Sequence, residues 1–210
     1  MPRRARASAA TAPLRAPSRR PGRPENRALS PRDWADAALW AIGKSGLAAV
    51  TIDEVARTLG VTKGSFYWHF EDRLALVRAA LERWEEICTQ AIIERLEALE
   101  RPRDRLQQLL MTVFSENETY APIEMAVLAA AEHPAVAPVV ARVASRRLEY
   151  LVDTYRRTGL TPADARSAAL LAYSAYLGLV QMARIAPDQL PTASARERYV
   201  RYLSMRLLPD

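Results

Sequence analysis

The chain has 210 residues, 30 of them basic and 24 acidic, and half of it is hydrophobic. That supports one folded domain, or one and a half, and excludes wholesale disorder. The single cysteine, Cys88, excludes an internal disulfide and a multi-cysteine metal cluster, and two distant histidines, His69 and His133, argue against catalytic zinc, so no metal or cofactor is implied.

Charge is unevenly spread. Residues 1–29 carry eight arginines against one acid, Glu25, a net +7 that leaves −1 on the other 181 residues. A basic tail on a near-neutral body points to a polyanionic partner such as nucleic acid. Its Arg, Ala, Pro and Ser bias predicts a flexible arm. The arm lacks the apolar stretch of a signal peptide, and Pro13, Pro17, Pro21 and Pro24 would break the amphipathic helix of a transit peptide. The longest apolar run, Ala168–Val180, is interrupted by Ser174 and is shorter than the roughly 20 residues of a bilayer span. A buried helix is expected there, no membrane partner, and a cytoplasmic location by default.

Order is predicted to begin at Ser30, where Ser30-Pro31-Arg32-Asp33 supplies an N-cap, a proline at the first helical position and an acid at the third. Trp34, Ala38, Ala41 and Ile42 form one apolar stripe, and Gly46 stops the helix. Thr51-Ile52-Asp53-Glu54 is a capping box with Val50 and Val55 as its staple. The helix it opens carries Ile52, Val55, Ala56 and Leu59 inward and ends at Gly60. Thr62 is placed to cap a short third helix through Phe70, and Asp72 a long fourth helix to about Leu99. Further helices are expected at about 104–116, 121–132, 134–158, 162–186 and 194–208. The predicted class is all-α.

The pair of short helices joined by Gly60-Val61 is a helix-turn-helix candidate. Val61, Phe66 and Phe70 would face in, leaving Lys63, Gly64, Tyr67 and Trp68 outward. Exposed Tyr and Trp on so short a helix have no apolar reason to be there. Lys63 could neutralise a phosphate, Tyr67 and His69 could donate to phosphate oxygens, Trp68 could lie along the sugar edge, and Gly64 allows close approach.

The segments Thr51-Ile52-Asp53-Glu54-Val55-Ala56 and Leu59-Gly60-Val61-Thr62-Lys63-Gly64-Ser65-Phe66-Tyr67-Trp68-His69-Phe70 resemble the DNA-binding part of the tetracycline-repressor (TetR) family of regulators, over about residues 30–77. The resemblance implies that the third helix enters the major groove with Thr62, Lys63, Ser65, Tyr67, Trp68 and His69 lining the DNA. Thr51 would cap its helix against a phosphate, and Arg73 would hold the backbone. Glu71-Asp72 depart from the pattern, since acids in that turn repel phosphate. Arg19-Arg20-Pro21-Gly22-Arg23-Pro24 resembles an arginine hook for the minor groove, with Arg20 and Arg23 as its contacts; a solvated tail is the alternative.

The resemblance also implies an arm (1–29), a DNA-binding domain (30–75) and an effector-binding and dimerisation domain (76–210). Two copies would join through the last two helices, with Ala168, Ala172, Ala175, Gly178 and Leu179 on one and Tyr199, Val200, Leu203 and Leu207 on the other. Together they would read a palindromic operator of double-stranded DNA. A small apolar or aromatic effector would occupy a pocket among Trp84, Cys88, Met111, Phe114, Tyr120, Met125, Tyr150, Tyr155 and Tyr173, in a body with few buried charges. The expected function is a dimeric regulator, a repressor released by that effector. The alternative is a constitutive architectural DNA-binding protein, and no enzyme motif is present. His133-Pro134 reads as the start of a helix, and Cys88 as a small core residue.

Overall fold

The computed structural model describes residues 29–115 and 120–209, so Arg20 and Arg23 lie outside the described residues. Helix α1 (Pro31–Ser45) opens on the capping box read from the sequence. Ser30 Oγ accepts the Asp33 N–H at 3.3 Å, and the Asp33 carboxylate accepts the Ser30 N–H at 2.8 Å. Helix α2 (Ile52–Leu59) is capped by Thr51, whose Oγ1 accepts the Glu54 N–H at 3.2 Å. The reciprocal half of that box gives way to a pair between Glu54 and Arg57 one turn on. Gly60 ends α2 with φ 72° and ψ 32°, a left-handed conformation that a side chain disfavours.

The third element is a single 3-10 segment, Lys63–Trp68, shorter and tighter than the predicted helix. Thr62 does not cap it with its side chain; the Thr62 carbonyl instead accepts the Ser65 N–H at 3.1 Å and the Ser65 hydroxyl at 3.0 Å. Asp72 does cap α3 (Arg73–Glu85), accepting the Ala75 N–H at 2.7 Å. The long fourth helix of the sequence reading is divided by a π turn at Glu86–Gln90 before it resumes as α4 (Ala91–Glu97). Then follow α5 (Pro102–Ser115), α6 (Ala121–Ala129), α7 (Ala137–Arg157), α8 (Pro162–Ile185) and α9 (Ala193–Leu207). Helix α7 begins three residues later than expected. His133 Nδ1 accepts the Ala135 N–H at 3.1 Å in a turn that precedes it, and Pro138 rather than Pro134 enters its first turn.

The buried residues form two clusters. One joins Trp34, Ile42, Val55, Phe66, Leu76 and Trp84 to Ile123, Val127 and Val143 from α6 and α7. Trp34 meets Phe66 edge-on at 5.5 Å, which fixes the 3-10 segment to α1. The other cluster gathers Leu106, Leu110, Phe114, Leu151, Tyr155, Ala169, Val200 and Leu207 from α5, α7, α8 and α9.

Helix α6 lies directly on α1. A Cβ at Gly43 would fall 2.6 Å from Ile123 Cγ1 and 3.3 Å from its backbone nitrogen, so the approach depends on glycine. The turn after α2 makes a different demand, since nothing lies within 4 Å of a Cβ at Gly60 and only its dihedral is restrictive. Gly60→Ala is expected to lower unfolding free energy by about 1–2 kcal/mol. Urea denaturation checks this, and an unchanged midpoint would contradict it.

Candidate nucleic-acid interface and ligand cavity

In a 3-10 helix, side chains three residues apart eclipse. Gly64 and Tyr67 therefore share one ridge and Ser65 and Trp68 another, with Phe66 turned inward and fully buried. Tyr67 is 59% exposed and Trp68 86%, the most exposed of the large apolar side chains among the described residues. Nothing in the packing requires that. Gly64 has no internal reason either, because a Cβ there would meet only Thr62 Oγ1 at 3.8 Å, an ordinary contact. His69 is half-buried and closes the segment, its N–H donating to the Phe66 carbonyl at 2.9 Å.

Two of the expected cations are already engaged. The Lys63 ammonium lies 3.0 Å from Asp53 Oδ2 on α2, and this pair holds its pKa above the ordinary lysine range. Both groups are exposed, so water and salt weaken the pair and a phosphate can compete for the lysine. Arg73 braces the loop before α2, donating through Nε to the Val50 carbonyl and through an NH2 to the Leu47 carbonyl at 3.0 Å. Its guanidinium is half-buried and holds that loop, a role the sequence reading did not give it. Asp72 is spent as a cap, which accounts for one of the two acids in that turn.

Behind this face the body encloses a cavity of about 210 Å³ between the π turn with α4, α5, α7 and α8. Six of the nine expected pocket residues line it: Cys88, Phe114, Tyr120, Tyr150, Tyr155 and Tyr173. Three do not. Trp84 is fully buried, with its indole N–H donating to Glu124 Oε2 at 2.8 Å; Met111 is exposed; Met125 lies on α6 outside the lining. The Tyr155 hydroxyl is spent on the Leu207 carbonyl at 2.7 Å, and burial raises its pKa to about 12. Burial, reinforced by the charge of Glu124, pushes the Cys88 thiol up, which keeps it protonated.

The sequence reading missed the charges. Arg147 on α7 donates to Glu124 Oε1 at 2.6 Å, to Thr89 Oγ1 at 2.9 Å and to the Cys88 carbonyl at 3.1 Å. Glu124 is 1% exposed. The guanidinium sits 5.4 Å from the Trp84 ring centre and 5.8 Å from that of Tyr176. Burial alone would lower its pKa, but the Glu124 carboxylate outweighs this and raises it. A second buried cation, Arg83, lies 2.7 Å from Asp36 on α1 and 2.7 Å from Glu86, the first residue of the π turn. Burial dominates at Asp36 and raises its pKa despite the arginine. The expectation of few buried charges is therefore corrected: two ion-paired arginines flank the π turn, one facing the cavity and one facing α1.

A helix-turn-helix with an exposed aromatic ridge, set on a helical body with an internal cavity, defines a DNA-binding regulator. The family model for bacterial regulatory proteins of the tetR family matches residues 35–80. BetI of Escherichia coli is 31% identical over 132 residues, covering 60% of this chain and 68% of BetI. TtgR of Pseudomonas putida is 37% identical over 84 residues, 39% of this chain and 39% of TtgR, so this match spans well under half of either protein. Among solved structures, a transcriptional regulator from Saccharomonospora viridis in complex with choline superposes with a TM-score of 0.72 at 16% identity, covering 86% of this chain and 97% of that one. The chain belongs to the TetR family of transcriptional regulators. Proteins of this family are DNA-binding transcription regulators.

Removing one member of the cavity pair leaves the other buried and uncompensated. Glu124→Ala is expected to destabilise the protein by about 3–5 kcal/mol, and Glu124→Leu combined with Arg147→Met by much less. Urea unfolding of both variants checks the difference.

Proposed function

We propose that this protein is a dimeric repressor, cytoplasmic, that leaves a palindromic operator when a small apolar or aromatic effector enters the cavity. The observation that carries this reading is one of continuity. The helix that starts beneath the 3-10 segment at Arg73 becomes, through its π turn, a wall of the cavity. A ligand that reshapes that wall acts on the same rod that orients the reading segment. The cavity also favours this reading over a constitutive architectural role, which needs none.

In this reading residues 30–75 form the reading head and residues 76–210 the body. Thr51, Thr62, Lys63, Gly64, Ser65, Tyr67, Trp68, His69 and Arg73 face DNA, with Arg20 and Arg23 of the 1–29 arm in the minor groove. Lys63 exchanges Asp53 for a phosphate on binding. Selection of bound duplexes from a random pool tests this: a palindrome with half-sites one turn apart supports it, and an asymmetric or absent motif overturns it. On the selected site, Lys63→Ala is expected to reduce the slope of log affinity against log salt by about 0.9 and to weaken binding to all sequences alike. Removal of residues 1–24 flattens the slope further.

In this reading the dimer face is not the stripe read in the sequence. Ala172, Val200 and Leu207 are buried in their own subunit. Leu171, Met182 and Ile185 of α8 and Tyr202 and Met205 of α9 stand exposed instead, and Gly178 between them opens onto free space. On length and composition alone α8 could cross a membrane, with a mean hydropathy of 1.3. Its opposite face, however, packs Ala165, Ala169 and Tyr176 into the subunit. A one-sided apolar stripe of this kind suits a second copy. Ile185→Asp is expected to convert the dimer to monomer in sedimentation and to weaken operator binding in parallel.

A further inference from the structure

The walls of the cavity hold charge of one sign only. Among the described residues no aspartate or glutamate lines it, while Arg95 and Arg147 both do. Cys88, Tyr155, Tyr173 and Tyr176 stay protonated there, because burial holds each above its ordinary range. Arg147 is already spent. Its Nε donates to Thr89, one terminal nitrogen to Glu124, and the other to Glu124 and the Cys88 carbonyl. An anion reaching for Arg147 would strip Glu124, a nearly inaccessible carboxylate, of its partner, and that exchange costs more than it returns.

Arg95 is the opposite case. It lines the cavity from α4 and is also exposed, so the space opens to solvent beside it. Among the described residues it makes no ion pair and no side-chain hydrogen bond, and the adjacent Glu94 carboxylate accepts instead from Gln90 at 2.6 Å. The two helices at this side of the cavity add an aliphatic wall, with Ile92, Ile93 and Leu96 from α4 and Leu109, Leu110 and Val113 from α5. At about 210 Å³ the space is not far above the ~150 Å³ that takes a single benzene ring. A small guest therefore gains by leaving its apolar part inside and a negative end at the Arg95 opening. There a carboxylate keeps part of its water and gains an unpaired cation, whereas a positive end meets no acid on the wall.

We propose that the effector is a small amphiphile with a carboxylate end, whose apolar body fills the cavity and whose carboxylate meets Arg95 at the mouth. This rests on the effector reading above, keeps its apolar body, and adds the sign and the place of the ligand's charge. Calorimetric titration of the full chain at neutral pH with octanoate, 1-octanol and octylammonium, three probes of one chain length, tests it. Octanoate is expected to bind about fivefold more tightly than octanol, and octylammonium more weakly than either. The advantage over octanol should fade as salt approaches about 1 M, where charges are screened beyond ~3 Å. Arg95→Gln, at an exposed position, should remove that advantage while leaving octanol affinity and the melting temperature unchanged. Octanol or octylammonium binding as tightly as octanoate would overturn the proposal. So would no binding of any probe, or an octanoate preference that survives in Arg95→Gln. Displacement of the selected operator is measured separately. Octanoate that binds through Arg95 without displacing DNA sinks the repressor reading and leaves the ligand assignment standing, and DNA displaced by octanol but not by octanoate does the reverse.

Discussion

The contact between Arg147 and Glu124 is the point on which the two halves of the molecule depend. It ties α7 to α6 inside a nearly dry interior, and Trp84 of α3 joins it through its indole N–H. Three helices therefore share one charge-neutral knot. A buried ion pair of this kind adds little net stability over an apolar equivalent, but it tolerates only one arrangement. It thereby sets how α6 and α3 enter the upper core, where Ile123, Trp84 and Trp34 pack in one cluster.

The π turn is the structural complement of that knot. A helix carrying one residue too many must open its ladder somewhere, and such openings gather at functional sites. Here the Cys88 carbonyl and the Thr89 hydroxyl both accept from Arg147. On the other side Glu86 holds Arg83, which reaches Asp36 on α1. The least regular stretch of the long helix is thus gripped from two sides by arginines, one in the body and one under the reading head.

Local signals account for what the sequence revealed. Ser30, Thr51 and Asp72 cap their helices because capping depends on residues three positions apart. The exposure of Tyr67 and Trp68 followed from a segment too short to bury every aromatic side chain. Long-range pairing stayed hidden. Arg147 and Glu124 lie 23 residues apart with no periodic mark between them, and Arg83 and Asp36 lie 47 apart. The π turn was equally invisible, since its sequence reads as uninterrupted helix. Trp84 was misplaced for a related reason: helical spacing says that a side chain is buried, not which of two cores receives it. The same ambiguity placed Ala172 and Val200 in a stripe expected to meet a partner, whereas both are buried in their own subunit.

The seat of Ile123 on Gly43 has a bearing on how such proteins can be recombined. A helix pressed onto bare backbone fits like a key cut for one lock, and a substituent on either surface spoils the match. Any chimera that transplants the first 75 residues onto a foreign body would inherit half of this joint and lose the other. The natural unit of exchange therefore includes α6, although it lies some fifty residues further along the chain than the motif that reads the duplex.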